Sequence, residues 1–182
     1  MNLNDEIQEC KNCYLYNLEC NKYDLSRGYG KLLGNGGKEI FIVAQNPSTI
    51  RCPGLKYAMG IDHEIKKPGK NLSLKKIFND LKIDMNKIYW TNVVKCSTDK
   101  NILPSKNIID TCGEWLLKEI DLIKPKKIIA MGKLPYTYLL DKELDIPVSY
   151  IWHYAFVSRN FDLLINKYKL IIKSELKEIT YA

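Results

Sequence analysis

The sequence contains few arginines and no long apolar run. Only Arg27, Arg51 and Arg159 are arginines among its 182 residues, so lysine supplies most of the excess of 28 basic over 21 acidic side chains. The net charge of +7 favours polyanionic partners such as nucleic acid. Lysine-rich codon usage in the source genome explains the same excess equally well, so the charge alone does not establish a nucleic-acid partner.

No stretch approaches the roughly 18 consecutive apolar residues that a membrane span requires. The segment Met1–Cys10 also lacks a basic region followed by an apolar one, which is the pattern of a secretory leader. We therefore expect a soluble, cytoplasmic protein with no membrane partner. We also expect it to be a monomer. Repeats and low-complexity tracts are absent, and 46% apolar with 27% charged residues is globular composition. The length predicts a single domain over residues 1–182.

Four short β-branched runs predict strands, and helical periodicity between them predicts helices. The predicted strands are Glu39–Gln45, Ile88–Val94, Lys126–Met131 and Val148–Trp152. The predicted helices are Leu72–Leu81, Ser105–Ile123, Leu134–Leu140 and Phe161–Leu176. Because strands and helices alternate, we predict an α/β fold with a mostly parallel sheet.

The segment after the first strand, residues 47–69, has no helical pattern, and a loop of that length is usually functional or disordered. In an open parallel sheet, ligands bind beyond the carboxyl ends of the strands. Those ends carry Gln45, Asn46, Asn92–Cys96, Gly132 and His153. The sequence therefore predicts a site at this edge of the sheet.

Four cysteines form two pairs, one with the spacing C-x2-C and one with the spacing C-x15-C. They are Cys10, Cys13, Cys96 and Cys112. Because disulfides are rare in a reducing compartment, four thiolates from two distant segments suit a zinc ion or an iron-sulfur cluster. The second pair fits equally well as small buried apolar residues. Cys20 and Cys52 are spare in any scheme with four ligands, and Cys20 is near enough to the first pair to compete with it.

Two segments carry a resemblance to a known family. Thr91–Cys96 reads TNVVKC, and Cys112–Leu116 reads CGEWL, followed by Glu119-Ile120 and Ile123–Pro125. With the N-terminal C-x2-C, these segments resemble the iron-sulfur uracil-DNA glycosylases, families 4 and 5. The resemblance implies a three-layer α/β/α fold with a four-stranded sheet. It also implies a [4Fe-4S] cluster on the four paired cysteines, with structural zinc as the alternative.

Two motifs depart from those families. After the first strand they carry Gly-Glu-Ala-Pro-Gly or Gly-Leu-Ala-Pro-Ala, whereas this chain reads AQNPS at Ala44–Ser48, so the family 4 acid is absent. An Asn before the Pro resembles the mismatch-specific and single-strand-selective glycosylases, in which that Asn orients the attacking water. Where the superfamily usually has His-Pro-Ser, this chain has His-Tyr-Ala from His153, and Arg159 stands where a basic residue commonly follows.

The resemblance implies roles for individual residues. Asn46 and His153 are the expected catalytic residues, one holding the water and the other donating a hydrogen bond to the departing base. Gln45, Tyr57 and Asn92 are expected to bind the base, since the Asn92 amide matches N3–H and O4 of uracil and an aromatic ring stacks on a flipped base. Each also has a structural interpretation, as a turn, a strand cap or a core residue.

The expected DNA contacts lie in the long loop and after the last strand. They are Lys66, Lys67, Phe156 and Arg159, the phenylalanine acting as a wedge. Other lysines near these segments, including Lys75, Lys76 and Lys95, are expected to be solvated, and His63 is expected to be a surface residue.

These features predict a monofunctional DNA glycosylase that acts on DNA, releases uracil or another damaged or modified pyrimidine, and leaves an abasic site. Two alternatives stay open. One is a catalytically silent relative that binds DNA or uracil, because the family 4 acid is absent. The other is a small-molecule enzyme of the same α/β class in which the cysteines hold zinc.

Overall fold

The computed structural model describes residues 3–13, 15, 39–47, 65–67, 70–72, 74–96, 98 and 102–180. Its strands are β1 (Ile40–Ala44), β2 (Ile65–Lys67), β3 (Lys70–Leu72), β4 (Ile88–Asn92), β5 (Lys127–Met131) and β6 (Val148–Ile151). Its helices are α1 (Leu3–Gln8), α2 (Leu74–Asp80), α3 (Lys106–Ile123), α4 (Lys133–Leu140), α5 (Tyr154–Arg159) and α6 (Phe161–Glu175). Short 3-10 turns occupy Met85–Lys87 and Lys177–Ile179.

Four strands form one parallel sheet in the order β4-β1-β5-β6. Ala44 pairs with Asn92, and Met131 pairs with Ile151, so the carboxyl ends of the strands lie along one edge. β1 and β5 are neighbours at the centre of the sheet. The connection after β1 leads to β4 on one side, and the connection after β5 leads to β6 on the other side. Because the two connections diverge, a crevice opens between the carboxyl ends of β1 and β5. The predicted α/β class and four-stranded sheet are confirmed.

Side chains of β1 alternate between two apolar cores. Phe41 and Val43 pack with α3 and α4, whereas Ile40, Ile42 and Ala44 pack with α2 and α6. Every residue of β1 and β4 is buried, which explains why these strands read as continuous apolar runs without alternation. The helices on both faces make the fold a three-layer α/β/α sandwich.

The structure differs from the predicted elements in three places. β2 lies in the predicted loop and pairs antiparallel with β3, which directly follows that loop, so Leu72 belongs to a strand and α2 begins at Leu74. Both strands are three residues long and mostly polar, which is too short for a strand pattern to show. Two six-residue helices were also not predicted, α1 near the N-terminus and α5 directly after His153. No helix in the described ranges is both long and apolar enough to cross a membrane.

Candidate active site and metal centre

Two predicted site segments meet at the carboxyl ends of β1 and β4. The backbone N–H of Val93 donates to the Ala44 carbonyl at 2.9 Å, and that of Val94 donates to the Gln45 carbonyl at 2.9 Å. These bonds continue the β1–β4 ladder past the strands and hold the segment after Asn92 beside the segment that carries Asn46. Asn46 and Asn92 are 46 positions apart in the sequence, and the parallel pairing of β1 with β4 brings them to the same edge of the sheet.

Asn46 is half-buried and connects β1 to the segment before α3. Gln45 Nε2 donates to Asn46 Oδ1 at 2.8 Å, and Asn46 Nδ2 donates to the Pro47 carbonyl at 2.9 Å. Asn46 Nδ2 also approaches Thr98 Oγ1 at 3.4 Å, and that hydroxyl donates to the Ile102 carbonyl at 2.7 Å. The Asn46 amide oxygen accepts a hydrogen bond and the amide nitrogen donates, so these partners hold the side chain in one orientation.

His153 lies between β6 and α5 and caps that helix. The Ala155 backbone N–H donates to His153 Nδ1 at 3.2 Å, so Nδ1 is the acceptor nitrogen. In the neutral imidazole the proton then resides on Nε2, which makes Nε2–H a hydrogen-bond donor. The ring also stacks on Tyr154, with centroids 4.7 Å apart, which restrains its orientation.

A cavity of about 560 Å³ opens at the crevice between β1 and β5, and most of its lining surface is apolar although half of the lining residues are polar or charged. Gln45 and His153 both line it, together with Met131 and Gly132 from the turn that follows β5. Gly132 has a φ of 105°, a backbone conformation that residues with a side chain rarely adopt, so this position favours glycine. The position of this cavity agrees with the predicted edge of the sheet.

Asn92, the predicted base reader, ends β4 and is only 2% exposed. Its backbone carbonyl accepts a hydrogen bond from Lys95 Nζ at 2.7 Å. The structure places Gln45, Asn46 and Asn92 on adjacent strand ends, with Gln45 and His153 on a common cavity. The predicted base-stacking residue Tyr57 lies outside the described residues, as does His63.

The four paired cysteines lie around one small cavity. Cys10 and Cys13 follow α1, whereas Cys96 follows β4 and Cys112 lies on α3, and all four line the same space. The indole N–H of Trp115 donates to Cys10 Sγ at 3.3 Å, and the backbone N–H of Lys95 donates to Cys112 Sγ at 3.0 Å. Donors aimed at sulfur are the outer contacts expected around metal-bound thiolates.

Burial raises the pKa of the Cys112 thiol to about 11, although the adjacent Lys95 N–H and ammonium oppose this rise. Binding of a metal would therefore have to displace a proton from this sulfur at neutral pH. Among the residues the structure describes, no three His, Cys, Asp or Glu side chains converge closely enough to hold a single metal ion. Cys20 and Cys52, the spare cysteines, lie outside the described ranges.

The predicted DNA contacts lie on two separate elements. Lys66 and Lys67 belong to β2 of the hairpin. Phe156 and Arg159 lie on α5, where Phe156 is 42% exposed and packs edge-on against Trp152 with ring centroids 6.1 Å apart. Phe156 lies three residues after His153, on the helix that His153 caps.

The expectation that Lys95 is solvated is wrong, since this residue is 2% exposed. Its ammonium forms an ion pair with Glu119, which is fully buried on α3, at 2.7 Å between Nζ and Oε2. Sequence reasoning missed the pair because a lysine is usually exposed and its partner lies 24 residues away. Lys75 and Lys76 are exposed, as expected.

Comparison with known proteins gives consistent matches. The profile described as "Uracil DNA glycosylase superfamily" matches residues 33–177. The "Type-4 uracil-DNA glycosylase" of Sulfurisphaera tokodaii is 28% identical over 140 residues, which are 77% of this chain and 57% of that protein. The protein of the same name from Archaeoglobus fulgidus is 24% identical over 136 residues, 75% of this chain and 61% of that protein.

A shorter match is to a type-5 protein. The "Type-5 uracil-DNA glycosylase" of Pyrobaculum aerophilum is 29% identical over 58 residues, 32% of this chain and 25% of that protein. The matches to the two type-4 proteins span about three fifths of their length, at 57% and 61%.

Proposed function

The chain belongs to the uracil DNA glycosylase superfamily, and from this membership we propose that it is a monofunctional DNA glycosylase. The proposed reaction flips uracil, or another damaged or modified pyrimidine, out of DNA and hydrolyses its N-glycosidic bond, leaving an abasic site. Uracil is the default substrate, for which the role would be DNA repair. A modified pyrimidine of foreign DNA would instead make the protein a defence enzyme.

The observation that carries the proposal is the hydrogen bond from the Ala155 N–H to His153 Nδ1. Cleavage of the bond leaves positive charge on the sugar and negative charge on the departing base. Because the Ala155 N–H occupies Nδ1, Nε2–H is the proton that the imidazole can offer to the base oxygen that gains charge. Preorganised donors of this kind usually contribute about 10²- to 10³-fold to kcat.

Asn46 is proposed to hold the attacking water. A carboxamide is a poor base, but its contribution is positioning, and the contacts to Gln45 and Pro47 hold the amide in one orientation. Asn92 is proposed to read the base through paired donor and acceptor atoms that match N3–H and O4 of uracil. Gln45 and Tyr57 are proposed to complete the base-binding surface.

Cys10, Cys13, Cys96 and Cys112 are proposed to hold a [4Fe-4S] cluster. The observation that supports this is the placement of all four around one cavity. Four thiolates suit either an iron-sulfur cluster or a structural zinc, and the zinc stays the alternative. When bound, the cluster would brace the N-terminal segment against β4 and α3, and it takes no part in the hydrolysis.

DNA is the proposed partner. The net charge of +7 favours a polyanion, with Lys66, Lys67 and Arg159 as proposed phosphate contacts. Phe156 is proposed to insert between bases as the target leaves the stack.

The activity is tested by mass spectrometry of the free base. Purified protein is incubated with DNA carrying uracil, hypoxanthine, xanthine, mismatched thymine or hypermodified cytosine. Release of one base supports the proposal and names the substrate. DNA binding without release of any base, from protein with its metal centre intact, would contradict the proposal and favour the silent binder.

Matched variants test the roles of the residues. His153→Ala removes both the donor and the helix cap, whereas His153→Asn keeps an N-cap side chain for the Ala155 N–H. Both variants should lose base release, and only His153→Ala should also lose thermal stability. Asn46→Ala should fold but release base slowly, and undiminished release would refute the role of Asn46.

The cofactor is tested by iron and sulfide analysis and by visible absorption of protein purified without oxygen. Cys112→Ser should lose iron and colour, whereas Cys52→Ser, which changes a spare cysteine, should keep both. A colourless protein that contains zinc would contradict the cluster and support the zinc alternative.

A further inference from the structure

A buried polar cluster lies beneath the end of β4 and has no role in the mechanism above. Lys95 Nζ donates to Thr91 Oγ1 at 2.8 Å, to the Asn92 carbonyl at 2.7 Å and to Glu119 Oε2 at 2.7 Å. The Thr91 hydroxyl donates in turn to Glu119 Oε2 at 2.7 Å. Each of the three Lys95 ammonium protons therefore has an acceptor, although Thr91, Lys95 and Glu119 are all buried.

Stability alone does not account for this cluster. A buried ion pair is on average no more stabilising than an apolar pair of the same size, because both charges lose their hydration. The cluster differs from an ordinary buried ion pair because the Lys95 ammonium also donates to the backbone carbonyl of Asn92. At Asn92 β4 ends and the chain turns toward Cys96.

The same segment is held on its other sides by backbone contacts. Val93 and Val94 donate to β1 carbonyls, and the Lys95 N–H donates to Cys112 Sγ on α3. The Asn92 carbonyl is thus fixed by a side chain that is itself anchored to Glu119 on the same helix. These contacts restrain the backbone of Asn92 in addition to its pairing with Ala44 in the sheet.

We propose that Lys95, Glu119 and Thr91 are positioning residues that orient Asn92 for recognition of the base. This inference rests on the proposed function, in which Asn92 reads the pyrimidine. The cluster acts through Asn92 and does not touch the substrate. Its loss should therefore slow base release and reduce the discrimination of uracil from cytosine, because the same amide turned over fits the cytosine edge.

Thr91 offers the most closely matched pair of variants. Thr91→Val keeps the shape and strand preference but removes the hydroxyl that accepts from Lys95 and donates to Glu119. Thr91→Ser keeps that hydroxyl. Lys127→Met provides a control, because it breaks the Lys127–Glu175 ion pair, whose Nζ–Oε2 distance is also 2.7 Å, at the opposite, amino end of β5.

The measurements are the single-turnover rate of uracil release, the preference for uracil over cytosine, and the visible spectrum of the metal centre. Thr91→Val should reduce the rate about 10- to 100-fold, a usual effect of lost outer contacts and small misplacements, with its spectrum retained. Thr91→Ser should restore the rate to near that of the wild type, and Lys127→Met should leave it unchanged. A wild-type rate in Thr91→Val, or an equal loss in Lys127→Met, would overturn the proposal.

Crystal structures of the two Thr91 variants separate this inference from the proposed function. If the wild-type protein releases no base, the proposed function fails and the rates carry no information about the cluster. The position of Asn92 is then decisive. Displacement in Thr91→Val but not in Thr91→Ser supports the positioning role, and an unmoved Asn92 in Thr91→Val overturns it.

Discussion

Replacing Lys95 by Met should destabilise the protein strongly, because it leaves the Glu119 carboxylate buried without its counter-charge. Glu119 has no solvent exposure and Lys95 has 2%, so neither group can recover hydration in place. Removing one partner of such a pair typically costs about 3–5 kcal/mol. For a chain of this length that loss lowers Tm by about 6–20 °C.

The Lys127–Glu175 pair provides the comparison, because its side chains are 21% and 26% exposed. Lys127→Met should cost only about 0–1 kcal/mol, as partly solvated pairs usually do. The double variant Lys95→Met/Glu119→Leu removes both buried charges and should be more stable than Lys95→Met alone. Thermal unfolding of the four proteins with the metal centre intact measures these differences.

Two results would refute the reasoning. A loss in Lys95→Met no larger than that in Lys127→Met would mean that solvent reaches Glu119. A double variant less stable than Lys95→Met would mean that apolar side chains do not fit the space between β4 and α3.

Three other measurements follow from the described contacts. Gly113→Ala should cost about 1–3 kcal/mol through overpacking, because the added Cβ would overlap the buried Tyr138 hydroxyl. Adding Tyr138→Leu should recover most of the loss in Tm, and a stable single variant would contradict this. Burial by itself raises the pKa of Glu175, but the hydrogen bond and charge of Lys127 outweigh this effect, so the pKa of Glu175 lies below its usual value. Its stabilisation is therefore present above the unfolded pKa and lost as pH falls through the folded one, and Lys127→Met should move acid unfolding to higher pH. In metal-free protein, alkylation of Cys112 should accelerate with rising pH up to about 11, since burial raises its pKa to that value, and a rate independent of pH would refute this.

The order of strands and helices could be read from the sequence because hydrophobic periodicity is a local property. The apolar runs of β1 and β4 and the long periodic pattern of α3 predicted their elements to within one or two residues. The β2–β3 hairpin, α1 and α5 were missed, since segments of three to six residues are shorter than the pattern that would reveal them.

Local sequence patterns were enough to identify the α/β class, the two cysteine pairs and the positions of Asn46 and His153 at strand ends, because each depends on nearby residues. The tertiary structure was needed to show that four cysteines from three separate regions line one cavity. It also decided the acceptor nitrogen of His153, through a contact made by the helix that the sequence did not predict. The burial of Lys95 depends on Glu119 reaching it from α3. A charged side chain can be buried only where the fold provides its counter-charge, and local sequence does not contain that information.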